Sequence, residues 1–150
     1  YAMTGMRLGY ALGPPEVIGA MNRIHQYTML SAPTTAQFAA LEALESCDDA
    51  IAEMRRAFNR RRNFVISRFN DLGMDCFEAK GAFYVFPECP TGWADDEAFA
   101  EALIREERVA LVPGRVFGEG GAGHLRVSYA SGMPDLKNAL DRIESFVRSE

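Results

Sequence analysis

Histidine, cysteine and lysine are all scarce in this 150-residue chain, and each scarcity narrows the chemistry available to it. With only His25 and His124, neither a metal centre nor a histidine-dependent nucleophile triad has much to draw on. Cys47, Cys76 and Cys89 are odd in number and far apart. They form no disulfide framework and no CxxC or Cys/His cluster, so reduced thiols in a cytoplasmic protein and no metal are expected. No apolar run approaches the ~20 residues of a membrane-spanning helix, and no signal-peptide layout opens the chain. A net charge of −5 works against nucleic acid as a partner, because phosphate needs a basic face. The one basic run, Arg60-Arg61-Arg62, falls inside a long helical pattern and reads as a solvated helix face.

The remaining composition, 48% hydrophobic and 25% charged, is that of an ordinary globular protein long enough to bury a core. Pro14-Pro15-Glu16 predicts a helix start, with Val17, Met21, Ile24 and Thr28 at helical spacing up to about Tyr27. After the loop MLSAPTT a second helix runs through Gln37, Ala40, Leu41 and Leu44 to near Cys47. Asp48-Asp49 would cap a long helix from about Ala50 to Leu72, with Gly73 as its stop. From Met74 the pattern changes. MDCFEA and AFYVFPE predict two strands, Asp95-Asp96-Glu97 opens a helix, VALVP and HLRVSYA predict two more strands, and Pro134 starts a last amphipathic helix. The second half therefore reads as a mixed α/β unit of about four strands and two covering helices.

Gly118 to Gly123, GEGGAG, matches the dinucleotide pattern G-x-G-x-x-G. That pattern needs a strand before it and a helix after it to hold the pyrophosphate. A strand-like run follows here instead, so the segment reads as a flexible loop. Within HLRVSYA, alternation puts Leu125, Val127 and Tyr129 on one face and His124, Arg126 and Ser128 on the other. Arg126 has the planar guanidinium that grips a carboxylate through two parallel hydrogen bonds. From spacing alone, a solvated arginine on an open sheet face is the plainer reading. Arg7 lies between Gly5 and Gly9 in MRLGYAL, a possible strand, where an arginine with nearby hydroxyl and amide donors suits a phosphate.

Together, YAMTGMRLGYALGP, SAPTTAQFAALEAL, GAFYVFP, VPGRVFGEGG and HLRVSYA resemble, in order and spacing, the class I and II aminotransferases. These are pyridoxal-phosphate enzymes of fold type I, like aspartate aminotransferase. The resemblance covers essentially the whole chain. It implies an α/β fold: a remnant of the large cofactor-binding domain and its sheet over 1–47, a long linking helix over 48–73 and a small C-terminal α+β domain over 74–150. It also implies that Arg7 binds the phosphate of pyridoxal 5'-phosphate, that Arg126 clamps the substrate α-carboxylate, and that Tyr27 lies near a side-chain-recognition position. Ser31-Ala32-Pro33 resembles a Ser-Asn-Pro turn near the dimer interface, with the Asn replaced, and Met6 stands where a Trp is usual.

In the family, the run resembling YAMTGMRLGY follows a Ser-Lys pair whose lysine forms the Schiff base with the cofactor. That lysine is expected two residues before Tyr1, so no catalytic residue is expected in this chain; Lys80 and Lys137 match no such role. The implied partners are an amino acid, a 2-oxo acid and a second copy of the protein, since an edge of an incomplete sheet seeks pairing. Two other readings stay open. One is another fold type I enzyme (a lyase, a decarboxylase or an ACC synthase-like enzyme). The other is a non-catalytic α/β interaction module. If the resemblance holds, the 150-residue chain mixed with pyridoxal phosphate and an amino-acid donor will give no sustained 2-oxo acid, measured by product release over many turnovers.

Overall fold

The computed structural model describes residues 1–149. The chain divides into two compact units, Tyr1–Met54 and everything from Arg55 onward, and the boundary falls inside a helix.

In the first unit a short 3-10 turn, Thr4–Met6, precedes α1 (Pro15–Thr28) and α2 (Thr34–Ser46). Proline at the start of α1 presets its first turn, and Glu16 meets the positive end of the helix dipole. No residue of α1 is buried, and of α2 only Ala36 and Ala43 are. Val17, Met21, Ile24, Leu41 and Leu44, apolar positions anticipated by periodicity, stay exposed, and so does Phe38. The strand expected over Met6–Leu12 does not form. Arg7 leaves the 3-10 turn with φ +53, and the backbone continues irregularly to the start of α1. A strand needs a neighbour for its N–H and C=O groups, and no described residue of this unit is in one. The expected sheet remnant is therefore absent among the described residues.

The long helix, α3 (Asp48–Asp71), starts two residues earlier than expected. Asp48 and Asp49 sit in its first turn rather than ahead of it, where their charge favours the dipole. It ends where Gly73 takes φ +74, a conformation other residues adopt only at a cost.

The second unit has a three-stranded antiparallel sheet with β1 (Tyr84–Val85) and β2 (Val112–Pro113) on either side of β3 (Leu125–Ser128). Tyr84 lies opposite Ser128, Val85 opposite Val127 and Val112 opposite Arg126. Leu125, Val127 and Tyr129 face a core completed by Val65 and Phe69 of α3, by α4 (Asp96–Glu106) and by α5 (Met133–Ser149). Phe99 and Leu103 come from α4, and Leu136, Leu140, Ile143 and Phe146 from α5. Trp93 joins Phe99 and Phe146 edge-on and tilted, with ring centroids 5.3 and 5.6 Å away.

The fourth strand, expected over Met74–Ala79, is not one. Burial alternates there as in a strand, with Met74 and Cys76 inside and Asp75 and Phe77 outside. The polar partners, however, are mostly side chains. The Cys76 N–H donates to Asn70 Oδ1 (2.8 Å), and the Arg62 guanidinium donates to the Ala79 carbonyl (3.1 Å). The Asp75 carbonyl takes a backbone bond from the Glu88 N–H (2.8 Å), too little to make a ladder.

Position in the core sets the cost of a substitution. Leu103→Ala, at a wholly buried site, will lower stability by about 2–5 kcal/mol in urea unfolding. The same truncation at half-exposed Ile104 will cost only about 0.5 kcal/mol.

Candidate functional site

Arg126 is central to β3 and points away from the core, between Leu125 and Val127, which are buried. Its guanidinium lies 4.6 Å from the ring centroid of Tyr84 and 4.6 Å from that of Phe117. Tyr84 is on the neighbouring strand; Phe117 ends a 3-10 turn, Gly114–Phe117. Rings hold a cation by electrostatic attraction to their faces while leaving its N–H donors unspent.

Four arginines are half-buried: Arg61, Arg62, Arg68 and Arg126. Arg61 donates to the Ala130 carbonyl, Arg62 to that of Ala79, and Arg68 to Asp141 and Glu144. Arg126 alone among them has no acceptor among the described residues. A partly desolvated guanidinium with free donors is a seat for an anion.

The turn beside it is built by glycine. A Cβ on Gly114 would overlap the Gly121 carbonyl oxygen and come within 2.7 Å of that of His124. The GEGGAG segment is thus not an open loop. Its Glu119–Gly121 part forms a second 3-10 turn, packed backbone to backbone on the first, because the glycines allow that approach.

The same turn carries Arg115, which meets Asp96 in the first turn of α4. Asp96 is wholly buried. It accepts from the Arg115 backbone N–H (2.9 Å) and Nε (2.8 Å), and Nη2 approaches it at 2.8 Å. Asp95 caps α4 by accepting from the Ala98 N–H and also pairs with Arg115 at 3.0 Å. Burial pulls the Asp96 carboxyl upward, but the bonds from Arg115 outweigh that and hold it below the usual carboxylate range.

Arg7 and Tyr27, the other residues singled out in the sequence, lie in the first unit. Arg7 caps the Thr4–Met6 turn: its backbone N–H and Nη1 both donate to the Thr4 carbonyl at 3.2 Å, and its side chain is exposed. No carboxylate pairs with it among the described residues. Tyr27 is 92% exposed near the end of α1, and no hydrogen bond joins it to Arg7. The sequence reading did not single out Tyr84, Phe117, Asp96 or Arg115. Tyr84 and Phe117 lay within recognised motifs, but nothing in their spacing announced the sandwich.

Cys76 and Cys89 are poor candidates for a nucleophile. Burial pushes the Cys76 thiol up to about 11, and burial followed by the charges of Asp96 and Asp95 pushes Cys89 to about 11. No group of side chains able to hold a metal occurs among the described residues.

The Asp96 pair makes stability depend on acid. Its carboxyl is depressed when folded, so its contribution is complete above the ordinary value of 3.8 and is lost as pH falls through the lower folded value. Asp96→Asn will flatten the fall of the urea midpoint below that pH, and a curve as steep as the parent's would refute this role.

Comparison with known proteins bears on the whole arrangement. The family model for aminotransferase class I and II matches residues 1–143. The aromatic-amino-acid aminotransferase 2 of Thermococcus litoralis is 40% identical over 100% of this chain, which covers 39% of that protein. The aspartate aminotransferase of Pyrococcus abyssi is 38% identical with the same coverages, 100% and 39%. The crystal structure of an aromatic aminotransferase from Pyrococcus horikoshii superposes with a TM-score of 0.93 at 38% identity, over 99% of this chain and 40% of that one. The chain thus spans 39% of the length of these two curated relatives. With a family model over nearly all its residues, and the same fold in a homologous crystal structure, the chain belongs to the class I and II aminotransferases.

Proposed function

We propose that this chain is part of a pyridoxal-phosphate-dependent aminotransferase that moves an amino group between an amino acid and a 2-oxo acid. The observation that carries the proposal is Arg126: half-buried, held by two rings, and spending none of its donors on the described residues. Its planar fork matches a carboxylate, the group common to both substrates. Held there, a substrate keeps its remaining freedom for the reacting carbon, and positioning of that kind lowers a barrier by several kcal/mol.

Arg7 is assigned to the phosphate of the cofactor. Its exposed guanidinium, bonded only to the Thr4 carbonyl among the described residues, has donors to spare for an anion. When bound, the cofactor supplies the electron sink that amino-group transfer requires. Tyr27, exposed near the end of α1, is assigned to recognition of the substrate side chain. The division into a large-domain part over 1–47, a linking helix over 48–73 and a small domain over 74–150 belongs to the same reading. So do a homodimeric assembly, a cytoplasmic location and a role in amino-acid biosynthesis. The exposed apolar faces of α1 and α2 support an assembly that covers them. No described helix is long and apolar enough to cross a membrane.

In the full-length protein carrying this chain, Arg126→Ala will raise KM for amino acid and 2-oxo acid alike by roughly 100-fold, the size of a lost charge-assisted bidentate pair. Cofactor affinity will change little. Arg7→Gln will do the reverse, weakening cofactor retention in equilibrium dialysis. Unchanged KM values in Arg126→Ala would exclude the carboxylate assignment.

A further inference from the structure

We propose that the Asp96–Arg115 ion pair is a positioning latch that keeps Phe117 on the Arg126 guanidinium and so sets the angle at which Arg126 presents its donors. The inference rests on the reading of Arg126 as the carboxylate grip.

The two rings that flank Arg126 are anchored very differently. Tyr84 belongs to β1, hydrogen-bonded into the sheet opposite Ser128, so its backbone is fixed by the ladder. Phe117 is 50% exposed and ends a 3-10 turn. Phe86 touches it edge-on at 5.8 Å. An exposed ring on a short turn holds its place only if the turn is tied down elsewhere. Short 3-10 segments have weak internal hydrogen bonds and do not supply that themselves.

The turn is tied at its start and at its middle, and the Gly114 N–H adds a bond to the His124 carbonyl at 2.8 Å. The glycine contact between Gly114 and Gly121 fixes the start of the turn. Arg115, two residues before Phe117, fixes its middle through three links to Asp96: backbone N–H, Nε and Nη2, at 2.9, 2.8 and 2.8 Å. Asp96 is wholly buried at the start of α4, whose Phe99 and Leu103 are in the core. If the turn swung outward, it would leave a buried carboxylate without its counter-charge, among the costliest defects a folded chain can carry. Asp95 and Glu97 approach the same guanidinium, at 3.0 and 3.7 Å. The helix start is therefore a three-acid socket for one arginine.

The path from Asp96 to Arg126 runs through contacts of one unit only: carboxylate to Arg115, along two residues of turn, then ring to guanidinium. The Arg126 guanidinium has no hydrogen bond among the described residues to fix it independently of the rings. Its orientation is set by the two rings, and only the Phe117 ring depends on the latch.

The test uses the full-length, cofactor-loaded protein. Arg115→Gln keeps the aliphatic stem and the backbone bond to Asp96 but removes the guanidinium and its charge. Phe117→Leu removes the ring from a half-exposed site and does not threaten the core. Both variants are expected to raise KM for the amino-acid donor roughly tenfold with a smaller change in kcat, the scale of one misaligned charge-assisted contact. Arg115→Lys will recover part of the loss. On an Arg126→Ala background, Arg115→Gln will add nothing, because groups acting through one another are not additive. A second readout needs no substrate. In protein carrying nitrogen-15 arginine, the ring-shifted Nε–H resonance of Arg126 will move toward its unstacked position in both variants.

The latch is overturned if Arg115→Gln is folded and moves neither KM nor that resonance, or if its effect on KM is undiminished in Arg126→Ala. Were Arg126→Ala to leave KM unchanged while Arg115→Gln still shifts the resonance, the latch would stand and the carboxylate assignment of Arg126 would fall.

Discussion

A guanidinium caught between the rings of Tyr84 and Phe117, 4.6 Å from each, is the contact on which the second unit's organisation converges. It draws on three elements at once: β3 supplies the arginine, β1 one ring and the turn after β2 the other. Each must be in register for the sandwich to exist. In the β3–β1 ladder Tyr84 lies opposite Ser128, and a slip of one residue would send Arg126 into the core and Val127 out of it. The core enforces the register: Leu125 and Val127 are buried against α3, α4 and α5, and the positions between them are left for polar work.

The turn is harder to build than the strand. It must reverse direction over few residues and still deliver an aromatic ring to a set place. Glycine meets the first need, since Gly114 and Gly121 approach so closely that no side chain fits between their backbones. Charge meets the second, since the buried Asp96 ties the residue after Gly114 to the start of α4. Glycine gives the chain freedom, and the ion pair then removes it. The GEGGAG run is consequently an ordered turn followed by β3, without the following helix that the dinucleotide pattern needs.

Much of this was legible in the residues. Strict alternation in HLRVSYA placed Arg126 on the face away from the core, and sequence pattern gave the five helices, with their starts and the ends of the first three within about two residues. The strands were the weaker part. Met74–Ala79 has the burial alternation of a strand, yet side chains of Asn70 and Arg62 satisfy its backbone, and no periodicity rule encodes that substitution. Met6–Leu12 has strand-like residues but no neighbour within its unit to pair with, and pairing is a property of the assembly rather than of the segment. Tyr84 and Phe117 escaped notice for a related reason. They lie 42 and 9 residues from Arg126 along the chain, and only the fold makes them one site.

The half-buried arginines of this chain differ in how their donors are used. Acids outnumber arginines and lysines, 21 to 16, so counter-charges are not in short supply. Arg68 takes two of them, Asp141 and Glu144, and ties α3 to α5; Arg115 takes three at the start of α4. Arg126 is half-buried like Arg68 and has none among the described residues. Had its role been to hold the sheet together, a glutamate on β1 or β2 facing it would serve better than a tyrosine, because a charge-assisted bond outweighs a ring contact. An acid there would, however, occupy the donors. Aromatic neighbours orient the cation, shield it partly from water and leave its hydrogen-bonding edge open. That combination gives the sheet less than an ion pair would, and it suits the carboxylate grip proposed for Arg126.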